Sequence, residues 1–284
     1  MNPVVAHAIT TLRQGVHDAR QRGLTVGFVP TMGALHEGHA SLIRAARKET
    51  GFVVVSIFVN PIQFGPHEDL ARYPRPFDKD VALCAEEGTD LLFAPQVETL
   101  YPQGFCTAVE VSGLQDVLEG SSRPGHFRGV ATVVLKLFNL VSPDRAYFGQ
   151  KDAQQVRIIQ QMMRDLDVPV QVRVCPIVRE ADGLALSSRN VFLDEAQRKH
   201  ATVLYRSLVE VRAAIERGER SASVLQRVLT ERIKATPGAS LDYAALVDAD
   251  SLQPIDPLRG QVLIALAVKF GATRLIDNLL IQVP

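Results

Sequence analysis

The chain has 284 residues, 46% of them hydrophobic and 22% charged, which suits one large globular domain or two smaller ones. Its 31 basic residues balance 31 acidic ones, so bulk charge favours binding neither to nucleic acid nor to a membrane. The first residues show no signal-peptide pattern, and the most apolar stretch, residues 262–268, is too short to span a bilayer.

Strand-like and helix-like segments alternate along the first two thirds of the chain. Strands are predicted at residues 24–29, 52–59, 91–94, 145–148 and 170–178, with helices between them at 40–49, 78–87, 129–141 and 153–166. Because these strands are continuous apolar runs, their order predicts an α/β fold with a parallel sheet and helices on both faces. Ligands of such folds bind at the carboxyl ends of the strands.

The pattern changes after about residue 178. Asp194 is a plausible helix cap, with Gln197 three residues on, and a long amphipathic helix should follow and end near Gly218. A second helix at residues 223–235 precedes three strand-like runs at 241–247, 261–268 and 273–280. We therefore expect two domains, residues 1–178 and a smaller α+β domain at residues 179–284 with an antiparallel sheet.

The most informative segment joins the first predicted strand to the first predicted helix. His36 and His39 are three residues apart beside Gly33 and Gly38. Positions three apart share a helix face, and the unpaired N–H groups and macrodipole of a helix start favour an anion. This segment is therefore predicted to bind phosphate groups. Two core histidines are the alternative, but the spacing and the flanking glycines favour the phosphate site.

Polar residues follow two more of the predicted strands. Gln63 suits recognition of a hydroxyl or a carboxylate, although it could also be a loop-capping amide. Lys151 is a candidate phosphate ligand, and Asp152 could bind a ribose or adenine, cap the next helix, or do both. Gln155 lies one turn further along.

Ser187, Ser188 and Arg189 lie at the predicted domain junction. Two hydroxyls and a guanidinium can bind phosphate oxygens, and a hinge would let that grip close on a nucleotide. A polar turn with capping serines is the alternative. No role is assigned to four other histidines, His7, His17, His67 and His200.

The three cysteines, Cys84, Cys106 and Cys175, are dispersed and lack the spacing of metal ligands. This predicts free thiols in a reducing cytoplasm.

Six motifs in order resemble the pantoate–β-alanine ligase (pantothenate synthetase) family of the HxGH nucleotidyltransferase superfamily. They are PTMGALHEGH, FVNPIQF, YPR, RPGHFRGVATVVLKL, YFGQKDAQQ and DGLALSSRN. The resemblance implies a Rossmann-like ATP-binding domain, a smaller lid domain and a homodimer. It also implies that pantoate attacks ATP to give pantoyl adenylate and pyrophosphate. The amine of β-alanine then displaces AMP, and Mg²⁺ accompanies the ATP.

The same resemblance implies roles for the matching positions. ATP would contact Met32, Gly33, Ala34, Leu35, His36, Glu37, Gly38, His39, Gly149, Gln150, Lys151, Asp152, Val178, Leu186, Ser187, Ser188 and Arg189. Catalysis would use His39 as proton donor, with His36, Lys151, Ser187, Ser188 and Arg189. Gln63 and Gln155 would hold pantoate. Tyr73 would border the β-alanine site, and Asp80 would be a metal ligand.

Two other functions compete with this one. A related nucleotidyltransferase that acts on a phosphate acceptor would share the HxGH motif but would need a basic acceptor pocket in place of the two glutamines. A catalytically idle nucleotide sensor would have lost phosphate-binding residues, and none is missing.

Overall fold

The computed structural model describes residues 2–66 and 68–284. Met1 and His67, the latter one of the four histidines without an assigned role, lie outside the described residues. The chain forms two compact units. The first comprises the described residues up to Gln115, Arg123–Gln150 and Gln155–Pro176, and the second comprises Asp116–Ser122, Lys151–Gln154 and Ile177–Pro284. Two short segments from the first part of the sequence thus belong to the second unit.

The first unit is built on a six-stranded sheet. Its strands are β1 (Val4–Ala6), β2 (Val26–Thr31), β3 (Phe52–Ile57), β4 (Leu91–Phe93), β5 (Arg145–Gly149) and β6 (Gln171–Cys175). They pair in parallel in the order β1-β4-β3-β2-β5-β6. The predicted parallel α/β sheet is therefore confirmed, although β1 was not predicted.

Helices flank this sheet and connect its strands. Apart from α5 (Glu119–Ser122), which belongs to the second unit, those up to residue 165 are α1 (Ile9–Gln21), α2 (Glu37–Glu49), α3 (Phe77–Glu86), α4 (Val97–Leu100), α6 (His126–Val141) and α7 (Ala153–Asp165). Helix α1 was also missed by the sequence-based prediction. No helix among the described residues combines the length and apolar character needed to cross a membrane.

The centre of the sheet is buried on both faces. Solvent exposure is 0% for Val26, Phe28, Val29, Val53, Val54 and Val55 of β2 and β3. Each such side chain contributes about 1.5–3 kcal/mol by leaving water. The order of strands reverses between β2 and its neighbour β5, and a crevice at such a switch point is where α/β sheets bind ligands.

The second unit carries the predicted antiparallel sheet. Its helices and strands after residue 176 are α8 (Glu195–Ala201), α9 (Val203–Glu216), α10 (Ala222–Lys234), β7 (Ala239–Asp248), β8 (Gly260–Phe270) and β9 (Thr273–Val283). The sheet order is β7-β8-β9, and the buried faces of α9, α10 and β8 share one apolar core.

The single long helix expected after Asp194 is in fact two helices. Asp194 and Gln197 form the predicted capping box at the start of α8. The break lies at Thr202, whose hydroxyl donates to the carbonyl of Lys199 at 2.9 Å. A threonine that bonds back to its own helix competes with regular helical geometry, which a hydrophobic periodicity does not reveal.

Candidate active site

His36 and His39 lie at the N-terminus of α2. His36 caps the helix, because its Nδ1 accepts the backbone N–H of Gly38 at 3.1 Å. Nδ1 of His39 in turn accepts the N–H of His36 at 3.3 Å. The ring centroids are 4.2 Å apart. The two histidines therefore form a reciprocal cap that fixes both rings at the start of the helix.

These hydrogen bonds assign the proton on each ring. A ring nitrogen that accepts an N–H carries no proton, so Nδ1 is unprotonated in both His36 and His39. The proton of each neutral ring is then on Nε2, which makes Nε2 a donor. Two adjacent donors beside the positive end of the helix macrodipole suit the stabilisation of charge on phosphate oxygens.

The expectation that backbone N–H groups at this turn are unpaired is wrong for six of its residues. Hydrogen bonds to acceptors within the protein are already donated by the N–H groups of Gly33, Ala34, Leu35, His36, Gly38 and His39. An anion at this turn would therefore be held by imidazole donors and the macrodipole.

The residues just before this cap form an unusual turn. Gly33 and Ala34 have φ angles of 81° and 51°, both in the left-handed region. Asp80, which is 2% exposed, accepts the N–H of Ala34 on Oδ2 at 2.9 Å and that of Leu35 on Oδ1 at 2.8 Å. Burial raises the pKa of Asp80, and these two N–H groups oppose that shift.

Gln63 lies in a buried network of side-chain amides. Its Oε1 accepts the Nδ2 of Asn60 at 2.8 Å, and its Nε2 donates to the sulfur of Met32 at 3.1 Å. The hydroxyl of Tyr101 donates to Oδ1 of Asn60 at 2.8 Å. Asn60 is 1% exposed. The orientation of the Gln63 amide is thus set by two neighbours.

The backbone of Gln63 is held by a second set of contacts. Nη1 of Arg123 lies 3.0 Å from Nε2 of His126. Because an arginine can only donate, Nε2 of His126 is the acceptor of this hydrogen bond. Nδ1 of His126 then carries the proton and donates to the carbonyl of Gln63 at 2.8 Å. Arg123 also donates to both carboxylate oxygens of Glu68, at 2.9 and 2.5 Å.

Helix α6 packs closely on this turn at Gly129. A Cβ at that position would lie 2.5 Å from the carbonyl oxygen of Ile62 and 2.6 Å from the Cα of Gln63. Both are backbone atoms and cannot move aside like a flexible side chain. Glycine is therefore required for the close approach that fixes the Gln63 turn.

Lys151 is part of the second unit, where Asn278 holds it. The side chain of Asn278, which is 3% exposed, donates from Nδ2 to the carbonyl of Lys151 at 3.0 Å. The Nζ of Lys151 is 3.9 Å from the carboxylate of Asp152. Strand β9 thus fixes the backbone that carries this cation.

The residue next to Asn278 anchors another predicted segment. Asp277, which is 2% exposed, accepts two hydrogen bonds from Arg179, at 2.7 and 2.9 Å. Arg179 also donates to the carbonyl of Gly183 at 3.0 Å and lies over the ring of Tyr205. Burial raises the pKa of Asp277, although the guanidinium opposes this shift.

The segment that contains the two serines is a hydrogen-bonded turn. The N–H of Leu186 donates to the carbonyl of Val178 at 3.0 Å. Ser187 caps the short 3₁₀ turn Ser188–Phe192, since its Oγ accepts the N–H of Arg189 at 3.2 Å. The capping role of Ser187 is therefore present, and its contact with ATP stays a prediction.

Four further predicted positions belong to the first unit. Gly149 and Gln150 end and follow β5, and Gln155 is half-buried on α7. Tyr73 is 5% exposed and packs edge-on against Phe64. Their contacts with ligands stay predictions.

The surroundings of Asp80 do not fit its predicted role as a metal ligand. Its carboxylate is buried and each oxygen already accepts a backbone N–H. Among the described residues, no group of three or more His, Cys, Asp or Glu side chains is arranged to hold a metal ion. We therefore derive no step through an ion bound by Asp80.

Several residues of these networks had no assigned role in the sequence. They are Asn60, Tyr101, His126, Arg179, Asp277 and Asn278. The adjacent Asp277 and Asn278, which lie between the apolar residues 275–276 and 279–281 of β9, were the available signal, because buried polar groups in a strand require partners.

A parallel sheet with a histidine-capped helix after β2, at the strand-order switch, is typical of Rossmann-like nucleotide-binding folds. The profile of the family described as Pantoate-beta-alanine ligase matches residues 4–280. The chain therefore belongs to this family of enzymes. Membership favours the ligase over the two alternative functions, the phosphate-acceptor nucleotidyltransferase and the idle nucleotide sensor.

Relatives and solved structures agree over nearly the whole chain. A pantothenate synthetase from Moorella thermoacetica is 56% identical over 275 residues, covering 97% of each chain. The crystal structure of pantothenate synthetase from Thermus thermophilus has a TM-score of 0.92 at 49% identity, covering 97% of this chain and 98% of that one. A ligase from Francisella tularensis, complexed with "Beta-gamma ATP and Beta-alanine", has a TM-score of 0.80 at 36% identity, covering 98% and 97%.

Proposed function

We propose that this ligase joins pantoate to β-alanine through a pantoyl adenylate and releases AMP and pyrophosphate. The observation that carries the proposal is the pair of histidines whose Nδ1 atoms accept backbone N–H groups, which leaves both Nε2 atoms as donors. The family match and the nucleotide and β-alanine in the Francisella relative support the choice of substrates.

In the first step, a carboxylate oxygen of pantoate attacks the α-phosphorus of ATP. The bond between the α-phosphorus and the bridging oxygen breaks, and pyrophosphate leaves. Negative charge grows on the phosphate oxygens, and donors on His36 and His39 would each lower this barrier by about 2.7–4 kcal/mol. Lys151, Ser187, Ser188 and Arg189 are proposed as further phosphate ligands. Mg²⁺ belongs to the nucleotide substrate here.

In the second step, the amine of β-alanine attacks the acyl carbonyl of the adenylate. An amide bond forms, the carbon–oxygen bond to AMP breaks, and the amine loses a proton. We assign the pantoate side of the site to Gln63, whose amide orientation is fixed by Asn60 and Met32. Gln155, and Tyr73 on the β-alanine side, complete the proposed substrate contacts. A cytoplasmic homodimer remains a prediction.

Isotope transfer tests the proposed intermediate. Pantoate labelled with oxygen-18 in its carboxylate, incubated with ATP and β-alanine, should pass one label to the phosphate of AMP. Omission of β-alanine should leave a burst of pyrophosphate that matches the number of active sites. The control uses unlabelled pantoate in oxygen-18 water and should give unlabelled AMP. Label in orthophosphate, together with ADP, would instead indicate an acyl phosphate and would exclude the adenylate.

A further inference from the structure

The turn at residues 33–35 is held in place from outside the segment. Its N–H groups are all bound by side chains: Thr31 accepts that of Gly33, and Asp80 accepts those of Ala34 and Leu35. Thr31 is itself anchored, since its hydroxyl donates to the carbonyl of Ser56 in β3 at 2.7 Å. Successive N–H groups in such a turn form an anion-binding concavity. Here the anion is a side chain of the protein.

The conformation of this turn requires such support. Ala34 has a φ of 51°, and a left-handed residue other than glycine is sterically disfavoured. Gly33, with a φ of 81°, lies against the same carboxylate, because a Cβ built on it would be 3.0 Å from Oδ2 of Asp80. The turn leads directly into His36, so its shape determines where the histidine cap begins.

We propose that Asp80 is a positioning residue that holds the turn 33–35 and thereby places His36 and His39 for ATP. This inference rests on the proposed function only in naming ATP as the ligand. A neutral asparagine offers one acceptor oxygen and one amide group that donates, so it satisfies only one of the two N–H groups. The turn should then relax and the histidines should shift.

The test compares Asp80→Asn with Asp78→Asn, which makes the same charge change on the exposed side of α3. Only Asp80→Asn should lower kcat/KM for ATP, by about 10²-fold, as for a small misplacement of reacting groups. It should also speed the exchange of the amide protons of Ala34 and Leu35. AMP binding measured in EDTA should weaken, while the Mg²⁺ concentration that gives half-maximal activity should stay unchanged.

A second substitution separates a positioning role from a general loss of stability. Ala34→Gly removes the conformational cost of the left-handed turn, so it should restore part of the ATP activity to Asp80→Asn. Unchanged exchange at the two amides, or a shifted Mg²⁺ requirement with unchanged AMP binding, would overturn the proposal. Should Asp80→Asn not fold, rapid exchange of both amides in the unaltered protein would overturn it equally. The exchange readout does not depend on the reaction, so it is separate from the isotope test.

Discussion

The hydroxyl of Tyr101 donates a 2.8 Å hydrogen bond to the side-chain oxygen of Asn60, a residue that is 1% exposed. The Nδ2 of the same amide donates to Gln63, so the tyrosine fixes which way the Asn60 amide faces. A phenol outside the predicted motifs thereby sets the orientation of the glutamine assigned to pantoate.

Tyr101→Phe should weaken pantoate binding by about 1–3 kcal/mol, because it leaves a buried acceptor on Asn60 unpaired. The KM for ATP should change little. Steady-state kinetics with each substrate varied in turn make the measurement. Tyr147→Phe is the matched control, since Tyr147 is 1% exposed and its hydroxyl contacts Glu49 instead. An equal rise in KM for pantoate in both variants would contradict the prediction.

Gly129→Ala should damage pantoate binding more than it damages the fold. The new Cβ would collide with backbone of the Gln63 turn, and overpacking of this kind costs about 1–3 kcal/mol. The measurements are KM for pantoate and the free energy of unfolding. Gly15→Ala on α1 serves as control for an equally close clash outside the Gln63 turn, because its Cβ would lie 2.5 Å from Cδ1 of the buried Leu91 side chain. Unaltered pantoate kinetics in Gly129→Ala would show that the turn has room to move.

His36→Asn should separate the capping role of this residue from its catalytic role. Asparagine is a good helix cap, so the stability of α2 should be kept, but the Nε2 donor is lost. The rate of adenylate formation should fall by about 10²–10³-fold, whereas His36→Ala should lose about 1 kcal/mol of stability as well. Rapid-quench assays and thermal unfolding measure the two effects. His17→Asn, at an exposed position of α1, should change neither, and near-normal adenylation in His36→Asn would assign His36 a structural role only.

Glu68 should contribute to stability in a way that depends on pH. Burial opposes ionisation of Glu68, but its hydrogen bonds with Arg123 and the positive charge of Arg123 outweigh this and lower its pKa. A lowered pKa in the folded state stabilises the fold above the unfolded value of about 4.3. That contribution is lost as the pH falls through the folded-state pKa.

Glu68→Gln should therefore flatten the decline in the free energy of unfolding below about pH 4.3. Urea titrations across the acid range measure it. Glu98→Gln, at an exposed position on α4, is the control and should leave the decline as it is. Equal slopes for Glu68→Gln and the unaltered protein would mean that the ion pair contributes nothing.

Local sequence patterns predicted those strands and helices whose own residues show a continuous apolar run or a helical spacing. The buried strands β2 and β3 are continuous apolar runs, and His36 and His39 lie where a strand passes into a helix. Strand β1 lies at the edge of the sheet, and its pairing with β4 joins Val4 to Leu91. Its existence is decided by distant partners.

The supporting roles of Asp80, which was predicted from the sequence to be a metal ligand, and of Tyr101 were missed for the same reason. Asp80 contacts a turn 46 residues earlier in the chain, and Tyr101 contacts Asn60 across 41 residues. Nothing in the local sequence around an aspartate shows that both its oxygens accept N–H groups of one turn. Family resemblance gives positions that touch ligands, whereas the residues that hold those positions become visible only in three dimensions.

The hydrogen bond between Asn278 and the carbonyl of Lys151 also has a consequence for synthesis on the ribosome. The two residues are 127 positions apart, so Lys151 is made long before the strand that holds it. Domains generally fold as they emerge, from the N-terminal side. The six-stranded sheet can therefore assemble early, while the lysine segment waits for β9. A nascent chain released before β9 would carry an intact sheet and both histidines, yet its lysine segment would lack this anchor.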